Sequence, residues 1–108
     1  MHPDKVDRER VVQLTDLPNV GKAMADDLVL LGIRTPAQLL GQCPLALYHR
    51  LSRITGKRQD PCVIDVFMSI TGFINGDPPQ PWWAYTEARK RMLADARAQG
   101  VNVEDSSP

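Results

Sequence analysis

The segment from Asp60 to Gly76 constrains the fold more than any other part of the chain. Between those two residues, Val63, Ile64, Val66, Phe67, Met68, Ile70, Phe73 and Ile74 leave little of a helix circumference polar. The Asp-Pro start and the Gly stop predict a helix over about Pro61 to Asn75. A helix apolar nearly all round is central in its fold or shared with a partner. The rest of the 108 residues therefore has to wrap around it, and a chain of that length favours one core over two.

The remaining segments carry helix punctuation, and almost none shows the apolar and polar alternation of a strand. The expected class is all-α. A charged first helix over about Lys5 to Asp16 would expose Asp7, Arg8, Glu9 and Arg10 and turn Val11, Val12 and Leu14 inward, stopping before Pro18. A second runs from about Gly21 to Leu31, with Gly32 as its cap. Thr35 and Pro36 open a short third helix that Gly41 closes. A fourth spans about Pro44 to Ile54, with Leu45, Leu47, Leu51 and Ile54 as its apolar side, and ends near Gly56. After the central helix, Asp77, Pro78, Pro79, Gln80 and Pro81 form a stiff, extended connector. Trp82 and Trp83 follow, at least one of them expected to pack on the central helix. A basic last helix covers about Thr86 to Gln99, and the polar tail 101–108 is expected to be mobile.

Charge narrows the partners. Thirteen Lys and Arg balance thirteen Asp and Glu, which excludes a strong global field for nucleic acid or anionic membrane and leaves only local patches. No run is long enough to span a membrane and no secretory signal follows Met1, so a cytoplasmic location is expected. Cys43 and Cys62 give no disulfide framework, and both are expected reduced.

The stretch Leu14 to Ile33, LTDLPNVGKAMADDLVLLGI, joins two helices through the tight turn Leu17, Pro18, Asn19, Val20, Gly21. It resembles the helix-hairpin-helix motif, in which a hydrophobic, Gly, hydrophobic, Gly turn precedes a small residue that lets the helices cross closely. Val20, Gly21 and Ala23 or Ala25 match; Asn19 stands where the family has its first glycine, and asparagine tolerates the left-handed region. The resemblance implies a phosphate held by the backbone amides of Gly21, Lys22 and Ala23 with Asn19 and Val20 shaping the turn, since a helix start offers unpaired N–H groups and glycine leaves them open. Such contacts fix position and carry no base specificity.

The half of the chain holding that turn is not basic. Residues 1–48 contain Lys5, Arg8, Arg10, Lys22 and Arg34 against Asp4, Asp7, Glu9, Asp16, Asp26 and Asp27. By contrast Arg50, Arg53, Lys57 and Arg58 cluster around Gly56 with no acid among them. The helices on either side of that turn look like a second, degenerate hairpin joined to the first by the short helix after Thr35. DNA-binding members of the superfamily pair hairpins in this way, each gripping one strand across the minor groove.

Taken together, LTDLPNVGKAMADDLVLLGI, LYHRLSRITGKRQDPCVIDVFM and PWWAYTEARK resemble the small bacterial pathogenicity-locus family, whose members are often labelled helix-hairpin-helix or mitomycin-resistance proteins. The resemblance covers about Leu14 to Lys90 and implies a role connected with DNA. The first hairpin also resembles the C-terminal domain of TfoX-type competence regulators.

Cys43, His49, Asp60 and Cys62 lack the paired spacing of a metal site, Cys62 with His49 lies on no recognisable catalytic turn, and ITGKRQ is too short for a phosphate loop. The expectation is therefore a paired helix-hairpin-helix (SAM-like) five-helix core over residues 1–76, with the segment 77–100 packed on it as an additional helix. Its expected function is sequence-independent DNA binding without cofactor, metal or catalysis. The competing class is a protein-interaction module, using the fifth helix or the Trp82/Trp83 segment for a homodimer or another partner.

Overall fold

In a computed structural model that describes residues 1–100, four α-helices account for most of the regular structure: α1 (Lys22–Leu30), α2 (Pro44–Thr55), α3 (Cys62–Ile74) and α4 (Thr86–Ala98). Short 3₁₀ turns supply the rest, and no strand occurs among the described residues. The tail 101–108 lies outside the described residues.

α3 is the hub. Its Ile64, Phe67, Ile70 and Phe73 are buried with Leu28 of α1, Leu31 just after it, and Leu47, Tyr48 and Leu51 of α2. α2, α4, the Pro36–Leu39 turn and the Trp82–Tyr85 turn all pack on it. The apolar circumference of the segment is thus used inside this chain. Inside α3, Gly72 admits a close neighbour: a Cβ there would stand 2.7 Å from Asp77 Oδ2 and 3.4 Å from the Tyr85 hydroxyl. The connector can therefore fold back against the helix it has just left.

The expected first helix does not form. In place of a helix over Lys5–Asp16 there are three 3₁₀ turns, Pro3–Lys5, Arg8–Arg10 and Leu14–Asp16. Side-chain acceptors capture the backbone donors that a helix would use: Asp7 accepts from the Glu9 N–H, and Asp16 Oδ2 accepts from Val12 and Gln13 at 3.0 and 2.9 Å. The β-branched pair Val11-Val12 adds little helical preference. Leu14 is buried as expected, whereas Val12 is 75% exposed. Arg8 crosses to the far end of α3, donating to the carbonyls of Phe73 and Asp77 with its guanidinium 3.9 Å from the Phe73 ring centroid. The short helix after Thr35 is also only a 3₁₀ turn, opened by the Thr35–Gln38 capping box.

α3 and α4 are joined by an ion pair that hydropathy patterning hides. Asp65 is fully buried and is the one charged side chain on α3. Arg89 Nε donates to its Oδ1 at 2.9 Å and the Thr86 hydroxyl to its Oδ2 at 2.8 Å. A buried carboxylate satisfied in this way fixes how α4 lies on the core, because an unpaired one is expensive.

Candidate nucleic-acid interface

Asn19 adopts the left-handed conformation, φ 66°, that the tight turn before α1 demands. Its side chain then ties the turn down. Nδ2 donates to Ser69 Oγ on α3 at 2.9 Å and to the Gln80 carbonyl at 2.8 Å, while its backbone N–H donates to Met1 O at 2.7 Å. The terminal amine of Met1 in turn donates to the carbonyls of Leu17 and Val20. Val20 is fully buried. Asn19 and Val20 are thus committed to holding the turn.

The next three residues differ. Gly21, Lys22 and Ala23 are exposed, and among the described residues nothing accepts from their backbone N–H groups. Gly21 has an ordinary extended backbone, φ −99°, and a Cβ built on it would meet nothing within 4 Å. The fold does not need a glycine here. The result is a helix start with uncapped donors and no side chain in front of them, a geometry suited to an anion. Acidic neighbours temper it: Lys22 Nζ lies 3.6 Å from Asp26, and burial, reinforced by Asp26, pushes the Asp27 carboxyl above its ordinary range.

The turn after α2 is built in the opposite way. Gly56 is left-handed, φ +72°, its N–H donates to Arg53 O at 3.2 Å and that of Lys57 to Ser52 O at 3.1 Å. This pair of bonds is a Schellman closure, which favours a residue without a Cβ. The Gln59 N–H donates to Ser52 Oγ, and the Tyr48 hydroxyl donates to Gln59 O. At the start of α3, Asp60 Oδ1 accepts from the Cys62 N–H at 2.8 Å, a bond that holds the Asp60 carboxyl below the usual range. An anionic cap already occupies that helix start.

What the second turn offers is side-chain charge. Arg53, Lys57 and Arg58 are exposed, and among the described residues no carboxylate lies within ion-pair distance of them. Arg50 is also exposed but donates to the Leu31 carbonyl at the end of α1 at 2.9 Å. Lys57 lies close enough to Asp27 to draw its titration downward. Asp27 is five residues beyond Lys22, or ~7.5 Å along the axis, so Lys57 near Asp27 and Arg50 on Leu31 O stand toward the C-terminal half of α1, while the bare donors open its N-terminal end. Ile54, expected on the apolar side of its helix, is 50% exposed beside this cluster.

Cys43 is exposed and Cys62 half-buried. Burial and the Asp60 carboxylate push the Cys62 thiol up, which disfavours the thiolate. Burial, then Arg53, holds His49 below the ordinary histidine range. Among the described residues no group of three or more His, Cys, Asp or Glu side chains could hold a metal ion. None of their helices is long and apolar enough to cross a membrane.

Residues 7–91 match the Cdd1 family, described as pathogenicity locus. The mitomycin resistance protein McrB of Streptomyces lavendulae is 46% identical over 81 residues, 75% of this chain and 77% of that protein. The chain belongs to the Cdd1 pathogenicity-locus family. No solved structure matches it significantly.

Proposed function

We propose that this chain is a sequence-independent DNA-binding accessory protein rather than an enzyme. In this reading, residues 14–30 and 44–74 are paired helix-hairpin-helix elements, linked by the Pro36–Leu39 turn, and α4 is the additional C-terminal helix on that core. Phosphate is held by the Gly21, Lys22 and Ala23 amides, and the Arg53, Lys57 and Arg58 cluster supplies long-range attraction. The observation that carries the reading is the uncapped start of α1, where three exposed backbone donors have no acceptor among the described residues and the glycine in front of them meets nothing in the fold. Backbone donors recognise a phosphate whatever the base, so the binding is indifferent to sequence.

A duplex titration of the whole chain at several salt concentrations tests this. Binding should weaken steeply as salt rises, because neutralising phosphates releases counterions; no binding at low salt would end the proposal. A protein-interaction module is the second reading. It is favoured by a cleft of about 330 Å³ lined by Val11, Pro36, Leu40, Phe73 and Ile74, with Leu40 largely exposed.

A further inference from the structure

The outward face of α4 carries a shallow cleft of about 460 Å³ lined by Ala88, Arg91, Met92, Asp95, Ala96 and Gln99. Every one of these residues belongs to α4 itself, at the spacing that one side of a helix presents. Met92 and Ala96 sit half-buried at the edge of the core, while Arg91 and Asp95 are exposed. The helix behind them is held fast. Leu93 is buried, and Arg89 and Thr86 are bonded to Asp65, so the face is presented in one orientation.

Arg91 and Asp95 lie one turn apart, yet among the described residues neither side chain has an ion-pair partner. On the same helix Glu87 and Lys90 do pair, at 3.9 Å. The two unpaired charges are complementary to a second copy of themselves. A two-fold axis crossing α4 near residue 93 sets Arg91 of each copy against Asp95 of the other and brings the two Met92 side chains together beside the axis. A parallel pairing in register would set Arg91 on Arg91 and Asp95 on Asp95, so only the antiparallel one is attractive. α4 has 13 residues, or ~20 Å of length. Two such helices cover less than the ~1,600 Å² of a standard interface, so the association is weak and depends on concentration.

We infer that this face of α4 is a self-recognition surface, on which a second copy of the chain docks antiparallel through two reciprocal Arg91–Asp95 ion pairs around Met92. The inference is independent of the DNA-binding reading.

Sedimentation equilibrium of the whole chain over a wide concentration range tests it. The parent should show a reversible equilibrium between monomer and dimer. Arg91→Glu and Asp95→Arg should each raise the dissociation constant about 10-fold or more, because each exchanges two attractive pairs for two repulsive ones. Both should unfold at the parental temperature, since the altered side chains are exposed. Mixed in equal amounts, the two variants should associate with each other at near-parental strength, and Arg91→Glu/Asp95→Arg should dimerise alone, because the axis restores opposite charges in both cases. A parent that stays monomeric throughout would overturn the inference, and so would a mixture that associates no better than its components. A dimer indifferent to both single reversals would move the contact to another surface and overturn it too.

Discussion

At Leu17–Gly21 the chain leaves backbone donors bare beside Asp26 and Asp27, whereas around Gly56 it gathers cations on a turn whose Gly56, Lys57 and Gln59 N–H groups are already taken. The first turn meets an anion mainly through its backbone, since the Lys22 ammonium is shared with Asp26. The second meets one mainly through side chains. The difference lies in the residue that closes each turn: Asn19 is left-handed and spends its side chain on Ser69 and Gln80, so the donors beyond it stay free. Gly56 is left-handed and ends a helix, so its own and its neighbour's donors return to that helix. Two positive-φ residues therefore have opposite consequences for what lies next to them.

Both turns lean on α3, and the largest expected effect comes from disturbing that support. Arg89→Met should destabilise the fold by about 3–5 kcal/mol, because it strands the buried Asp65 carboxylate. Denaturant unfolding checks this, and Asp65→Leu/Arg89→Met together should recover most of the loss. If the single variant unfolds like the parent, α4 does not depend on the pair.

The next contrast is between the turn residues. Asn19→Ala should cost about 2–3 kcal/mol, from the left-handed backbone and two lost side-chain bonds. Gly56→Ala should cost about 1 kcal/mol, from the backbone alone. Equal losses in thermal unfolding would mean that the Ser69 and Gln80 bonds add nothing.

Much of this architecture was legible in the sequence, for identifiable reasons. Pro44, Pro61, Gly32, Gly56 and Gly76 mark helix starts and stops by backbone constraint alone, and α1 to α4 fall within two residues of the boundaries expected from them. The failure at Lys5–Asp16 came from counting apolar positions where Asp7 and Asp16 compete for backbone donors. Asp65 was lost in its apolar run, although a lone carboxylate there and Arg89 in the basic last helix were the available signal. The sequence put at least one of Trp82 and Trp83 on the central helix but not which of them stays exposed, because that depends on how the connector folds back over Gly72.

Smaller effects separate charge from backbone. Arg53→Glu/Lys57→Glu/Arg58→Glu should lower the slope of log K against log salt by up to ~2.7, at ~0.9 per phosphate contact; Arg50, engaged with Leu31 O, is left out. An unchanged slope would remove the second turn from the interface.

The smallest expected effect is on pH dependence. Burial and Arg53 hold His49 below the ordinary range, so the unfolded chain binds its proton more readily. Stability should therefore fall as pH drops from about 7 through about 6.5 toward the folded pKa, and His49→Gln should flatten that decline. An identical decline in the variant would assign it to other groups.

The claim that the first turn binds through its backbone is tested most directly by the duplex affinity of Gly21→Asp. Nothing within 4 Å opposes the new Cβ and the backbone there is ordinary, so the variant should unfold at the parental temperature. It should nonetheless bind duplex more weakly than the parent at every salt concentration, because a carboxylate then stands where phosphate meets the amides. Equal affinity of the folded variant and the parent would contradict the account.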